Sequence, residues 1–260
     1  MTQEEHFFDF AAEAGLTKHF GSVNATDKMV ELCRISSDSY VLDVGCGVGA
    51  TPCYLAKEYG CRVVGVDVLP RMVERSKERA AKMGVTDRTE FRVADAQDLP
   101  FDNAIFDAVI TESVTSFPKD KQQAVNEYAR VIKPGGFVGL NESTWMKVPP
   151  PQELVEWVRQ DVGATVEPLT ADGWRGLLEN AGLQDIVVIL KPVDVKEESR
   201  GILQRYGIGG ILSTLTRAFR MYLKKPNYRQ FVKDVNQRGL IPEDFNAYFG
   251  YGIFVGKKPE

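Results

Sequence analysis

Three aspartates and a glycine turn carry the most specific chemistry in this chain. The stretch Val41-Leu42-Asp43-Val44-Gly45-Cys46-Gly47-Val48-Gly49-Ala50-Thr51 sets Gly45, Gly47 and Ala50 at the G-x-G-x-x-G/A spacing. Between a strand and a helix, such a turn lets a ligand approach backbone N–H groups, because glycine puts no Cβ in the way. Asp67 follows 22 positions after Gly45, at the end of the next apolar run. In an open α/β sheet a carboxylate there reaches the mouth of the same crevice and can accept from two ribose hydroxyls. Up to this point NAD and any other adenosine cofactor fit equally well.

Asp43 separates them. It stands two residues before the first glycine, where an added negative charge in a partly dehydrated cleft repels a pyrophosphate and favours a ligand bearing an ammonium or a sulfonium. A third carboxylate, Asp95, ends another short apolar run and precedes Ala96. From there it can accept from an adenine amino group while the backbone N–H of Ala96 donates to the ring, although a plain turn residue in Ala94-Asp95-Ala96-Gln97-Asp98 is the simpler use.

These residues need a scaffold that brings strand ends together. Apolar runs at 40–45, 61–68, 90–96, 106–113 and 136–143 alternate with helical patterns at 51–59, 70–83 and 119–132. Pro70 suits a first helical turn and Gly84 a C-terminal stop. A helix over 22–35 precedes them. Strands alternating with helices imply right-handed βαβ units and a parallel sheet covered on both faces, so the fold class is α/β. After the stiff Pro149-Pro150-Pro151 the rhythm changes: helices are expected at 152–162 and 171–181, a strand at 183–193 and a last strand within 247–258. The residues between those two strands read as mostly helical, and about 50 residues are too many for a hairpin loop, which makes them an insertion.

Composition narrows the class. A hydrophobic share of 43% over 260 residues suffices for an ordinary core, and a net charge of −4 gives no global attraction to nucleic acid. Cys33, Cys46, Cys53 and Cys61 show no C-x-x-C spacing and only two histidines accompany them, so neither a metal site nor a disulfide framework is indicated. The acidic start lacks the apolar core of a secretory signal, and no run reaches the roughly 18 apolar residues of a membrane span. A cytoplasmic protein is expected.

Taken together, VLDVGCGVG, VVGVDV, FRVADAQDLPF, FDAVITES and RVIKPGGFVGLNE, in this order between Tyr40 and Glu142, resemble the class I S-adenosylmethionine-dependent methyltransferases, in particular the small-molecule group that includes quinone and sterol methyltransferases. The resemblance implies a Rossmann-like three-layer sandwich with a mostly parallel seven-stranded sheet whose last strand is antiparallel. It implies S-adenosylmethionine as cofactor, S-adenosylhomocysteine as product and a small-molecule acceptor, with Gly45 and Gly47 under the methionine moiety and Asp43 near its amino group. Asp67 would hold the ribose, Val68 and Met72 would pack on adenine, Asp95 and Ala96 would read its edge, and the backbone near Thr111 would face the methionine. Cys46 matches a small residue of that loop and reads as a packing and backbone contact. The division that follows is a helical cap at 1–39, a cofactor-binding core at 40–193, a helical insertion at 194–245 and a final strand at 246–260.

Methyl transfer is an in-line displacement at an activated carbon, so a base is needed only where the acceptor must lose a proton. His19, in the segment that in related enzymes folds over the cofactor, is a candidate proton acceptor, with a surface or capping histidine as the plainer use. Glu112 follows the fourth strand as a base or polar clamp. Glu142, after the fifth strand, is a candidate for the same role on the substrate side, with a solvated or cap-forming carboxylate as the plainer use of both glutamates, and Phe117 and Trp145 are candidates for the acceptor wall. Rival readings are an aminopropyl transferase on the same fold, an NAD(P)-dependent oxidoreductase and a non-catalytic cofactor-binding protein.

One segment stands apart. From Ser199 to Lys233 there are eight basic residues and no acidic one; with −4 for the whole chain and +8 for this stretch, the remainder carries −12. Ile208, Ile211, Leu212, Leu215, Phe219 and Tyr222 recur at helical spacing. The segment reads as a lid with a solvated basic face or as a surface for lipophilic or anionic partners, a membrane surface among them, and Gly207, Gly209 and Gly210 favour a hinge at its start.

Overall fold

The segments Tyr40–Val44, Arg62–Asp67 and Phe106–Glu112 are short and rich in β-branched residues, and all three are buried along most of their length. Strands covered on both faces need no polar alternation, which is why they read as continuous apolar runs. The computed structural model describes residues 3–17, 19–161, 167–237, 242 and 244–260. Two helices, α1 (Gln3–Ala14) and α2 (Ser22–Leu32), precede the alternating elements β1 (Tyr40–Val44), α3 (Ala50–Glu58), β2 (Arg62–Asp67), α4 (Pro70–Met83), β3 (Thr89–Val93), β4 (Phe106–Glu112), α5 (Lys121–Val131) and β5 (Ile132–Trp145). The chain continues through α6 (Gln152–Asp161), β6 (Leu169–Thr170), α7 (Ala171–Asn180), β7 (Gln184–Pro192), α8 (Val195–Lys224), α9 (Pro226–Gln237), α10 (Phe245–Tyr248) and β8 (Phe249–Lys257).

The sheet runs β3-β2-β1-β4-β5-β8-β7, parallel except for β8, which is antiparallel to both neighbours. These are the seven strands the sequence implies. The two-residue β6 beside β5 adds an eighth, too short to carry a periodic signal. On one face Met29 of α2 and Leu55 of α3 pack with Val41 and Ile110; on the other, Tyr128 of α5 and Trp174 of α7 pack with Leu42 and Val109. The order reverses between β1 and β4, and the crevice beyond the carboxyl ends of strands at such a switch point is where open α/β sheets bind ligands.

Local chemistry sets the element ends. Pro70 opens α4 and Gly84, at φ 69°, ends it, as the sequence predicts. The side chain of Asp120 accepts from the N–H of Gln123 at 2.9 Å, so α5 begins at Lys121 and not at 119; such caps contribute about 1 kcal/mol. Arg34 turns to φ 53°, and α2 ends at Leu32, short of the expected 35. The expected helix end at 162 lies outside the described residues.

The insertion leans on the amino-terminal helices. The ring of Phe10 in α1 meets those of Tyr228 and Phe231 in α9 at 5.0 and 5.4 Å, Arg217 of α8 donates to the Ala14 carbonyl at 3.2 Å, and Asn24 of α2 donates to Glu197 at 2.7 Å. Gly207 breaks α8 with a non-helical conformation, φ 63° and ψ 171°. Among the described residues no helix is long and apolar enough to cross a membrane.

Candidate cofactor and active site

The glycine turn is built for close approach. Gly45 and Gly47 adopt φ 74° and 54°, in the left-handed region that side chains avoid. A Cβ on Gly45 would stand 2.2 Å from Val114 and one on Gly47 2.9 Å from the Thr17 hydroxyl. The turn is thus wedged between the segment after β4 and the segment before α2. Asp67 ties down its far side, Oδ2 accepting from the N–H of Gly47 at 2.9 Å and Oδ1 from that of Leu69 at 3.0 Å. Burial raises the pKa of this carboxyl. Beside it Val68 is 62% exposed, whereas Met72 is buried against Ala12 of α1 and Val48. The Cys46 thiol is buried within 3.8 Å of the Ser76 hydroxyl, and its pKa is pushed well up by burial, so it is a packing group and not a nucleophile.

Asp43, at the end of β1, is 2% exposed and its Oδ2 has no hydrogen-bond partner. Burial drives its pKa well up; Glu112 and Asp67 add to the rise, and Arg205 opposes it. A buried carboxyl oxygen without a donor is costly, and a cationic donor relieves both the missing bond and the charge. An ammonium supplies both, so the residues present fit the methionine end of S-adenosylmethionine.

Glu112, at the end of β4, is the centre of a buried hub. Thr26 of α2 donates to its Oε1 at 2.7 Å, and Thr51 of α3 donates to its Oε2 at 2.5 Å. His19 Nε2 lies 3.1 Å from Oε2, while Nδ1 lies 3.0 Å from the Phe20 carbonyl and 3.2 Å from Asn141 Nδ2. Burial lowers the His19 pKa to about 4, against an upward pull from Glu112. The ring is therefore neutral near pH 7, with the Glu112 carboxylate facing Nε2 and the Phe20 carbonyl facing Nδ1. Arg205 reaches in from α8 to touch His19 Nε2. The next residue, Tyr206, accepts from the Thr17 N–H at 3.0 Å and donates to the Thr17 carbonyl at 2.5 Å. Through Thr17 the same helix covers Gly47.

The fold thus gathers Asp43, Gly45, Cys46, Gly47, Asp67, His19 and Glu112 at one sheet edge. It does not gather Glu142 and Trp145 with them. Glu142 is fully buried, with Oε1 accepting from the N–H groups of Val114 and Thr115 at 2.9 and 2.7 Å and Oε2 from Ser116 at 2.8 Å. Its carboxyl ties down the loop after β4. Trp145 packs edge-on to Phe249, 5.6 Å away, in a cluster with Leu154 and Val158 of α6. Phe117 meets Phe8 of α1 at 5.2 Å. Asp95 is exposed and accepts from the N–H of Gln97 at 2.9 Å, the turn use, while Ala96 packs at the margin of the core. The Thr111 side chain is buried, its hydroxyl 3.0 Å from that of Thr115, and its backbone lies in the sheet between Val44 and Leu140. Thr26, Thr51, Asn141 and Arg205 escape a reading by motif, because single hydroxyls, amides and one arginine of a basic run have no distinctive spacing.

Comparison with known proteins agrees with this geometry. A family described as a methyltransferase domain matches residues 42–140. An uncharacterized protein of Haemophilus influenzae is 31% identical over 89% of this chain and 91% of its own length. The 27-O-demethylrifamycin SV methyltransferase of Amycolatopsis mediterranei is 33% identical over 61% of this chain, a match spanning 59% of that enzyme. Among solved structures, the [4+2]-cyclase SpnF superposes with TM-score 0.73 at 19% identity, covering 99% of this chain and 96% of that one. A SAM-dependent methyltransferase from Thiobacillus denitrificans, in complex with S-adenosylhomocysteine, gives 0.69 at 19% identity over 95% and 96%. With the matched domain lying on the strands and turns that form the crevice, the chain carries an S-adenosylmethionine-dependent methyltransferase domain over residues 42–140.

Proposed function

We propose that the protein transfers the methyl group of S-adenosylmethionine to a small acceptor that is lipophilic or bears an amine. The unpartnered Oδ2 of buried Asp43 beside the glycine turn carries this reading. When bound, the cofactor supplies a methyl carbon activated by positive sulfur. Asp43 receives its ammonium, Gly45 and Gly47 admit its methionine end, Asp67 accepts from the ribose, and the exposed face of Val68 covers adenine above Met72. Asp95 and Ala96 read the adenine edge, and the Thr111 backbone lines the methionine side.

On the acceptor side, His19 takes a proton where the acceptor must lose one, and Glu112 orients the ring and holds the imidazolium. Phe117 walls the acceptor. Arg205 occupies His19 Nε2, so it must withdraw before that nitrogen can serve as a base. In a dry cleft most of the rate comes from holding the nucleophile about 3 Å from the methyl carbon and in line with the leaving sulfur.

Calorimetric titration of the protein with S-adenosylmethionine, S-adenosylhomocysteine and NAD tests the cofactor side. Both sulfur ligands are expected to bind, and Asp43→Asn to weaken S-adenosylmethionine by about tenfold or more. NAD binding without either sulfur ligand would overturn the reading. Incubation with methyl-labelled cofactor and fractionated cell extract, followed by identification of the labelled product, tests the acceptor. A labelled lipophilic or amine product supports the assignment, and a label confined to large polar molecules sinks it.

A further inference from the structure

The outer face of α8 has no use in the site. Beyond the break at Gly207, the residues that turn inward are Met221, which is buried, and Arg217, bonded to Ala14. On the opposite side Ile208, Leu212, Leu215, Phe219 and Leu223 recur at intervals of three and four residues, all between 59% and 71% exposed. Five large apolar side chains in one row are far more than the scattered exposure a soluble surface shows.

Charge decides what covers this row. Arg220 and Lys224 are exposed along one flank and carry no ion pair among the described residues, and the stretch 199–233 holds eight basic and no acidic residues. A second copy docking through the same row would set basic flank near basic flank, since a twofold interface places one patch against itself. An anionic lipid surface meets both demands: headgroup phosphates neutralise the flank while the row enters the acyl boundary, as amphipathic helices lying in a membrane interface do. The −12 carried by the rest of the chain is repelled by such a surface, which leaves this helix as the side that faces it.

We infer that the outer face of α8, Ile208 to Lys224, docks the protein on anionic membranes. It does so with the helix that sends Arg205 to His19 and Tyr206 to Thr17, so a docked protein presents its lid to the lipid phase.

The test is co-sedimentation of the full chain with vesicles of phosphatidylcholine alone and of phosphatidylcholine with phosphatidylglycerol in equal parts. Binding to the anionic vesicles, weakened by high salt, is expected. Arg220→Gln with Lys224→Gln is expected to lower partitioning roughly 25-fold, from about fivefold per basic residue at the surface. Phe219→Glu is expected to abolish it while leaving the circular dichroism and S-adenosylhomocysteine affinity unchanged, because the ring touches solvent. Absence of vesicle binding, equal binding to neutral vesicles, or binding indifferent to these substitutions would overturn the proposal. So would a dimer in sedimentation equilibrium that Phe219→Glu disperses, which would assign the row to a second copy.

Discussion

On the β2 side of the crevice Asp67 is held by the N–H groups of Leu69 and Gly47, two and 20 positions away. On the β4 side Glu112 is held by the hydroxyls of Thr51 and Thr26, 61 and 86 positions away. The first carboxyl is positioned by local backbone, the second by side chains that meet only when α2, α3 and β4 have packed. A backbone-held group survives loss of a neighbour with its position nearly intact. The side-chain hub is all or none, since removing the central carboxyl strands several buried donors together.

That contrast makes Glu112→Ala the most damaging change. It leaves the Thr51 hydroxyl unpaired, leaves that of Thr26 with only long contacts to the Ser22 carbonyl and His19, and takes from Arg205 and His19 their nearby anion. Breaking a buried set in this way costs about 3–5 kcal/mol, read as a lower urea midpoint at unchanged slope. Glu112→Gln, which keeps an oxygen for one hydroxyl, is expected to cost less than half as much. Equal stability of Glu112→Ala and the parent protein would show that the hub does not hold α2 and α3 to the sheet.

Acid probes the same hub next. His19 has its pKa lowered from 6.5 to about 4, so the unfolded chain binds the extra proton first. Its contribution to stability is full above pH 6.5 and is lost as the pH falls toward 4, by about 3 kcal/mol across that window. Measuring unfolding free energy against pH for the parent and for His19→Asn isolates the effect, because the variant lacks the titrating ring. Parallel curves would mean that the imidazole is not desolvated.

The same contrast explains what could be read beforehand. The glycine turn, Asp67 and the strand–helix alternation are written in neighbouring residues, with Pro70 and Gly84 marking helix ends where they occur. Asp43 was legible from its charge and its place before the turn. Glu142 was not, because whether a carboxyl at a strand end faces a ligand or ties its own loop depends on the course of Val114 to Ser116. Arg205 belongs to a basic run whose members look alike in sequence, and only the packing of α8 on α2 selects one of them for His19.

On the backbone-held side effects are smaller and fall on binding. Asp67→Ala is expected to weaken S-adenosylhomocysteine by about 1–3 kcal/mol through lost charged hydrogen bonds, seen by calorimetry. The N–H of Gly47 loses its acceptor as well, so part of the loss comes from a looser turn. Unchanged affinity would remove Asp67 from the ribose.

Asp95 is the limiting case, a local carboxyl that is also exposed. Its bonds to Gln97 are made within a turn, and solvent replaces them when the side chain is cut back, so Asp95→Ala is expected to shift stability by less than about 0.5 kcal/mol. Bulk affinity is then a poor probe, and the adenine edge is a better one. A carboxylate accepts from the adenine amino group but opposes the carbonyl that replaces it in hypoxanthine. The parent protein should therefore prefer S-adenosylhomocysteine to its inosine analogue, and Asp95→Ala should bring the two affinities together. If the preference survives the substitution, the edge is read by backbone alone, and Asp95 is a turn residue that the crevice does not use.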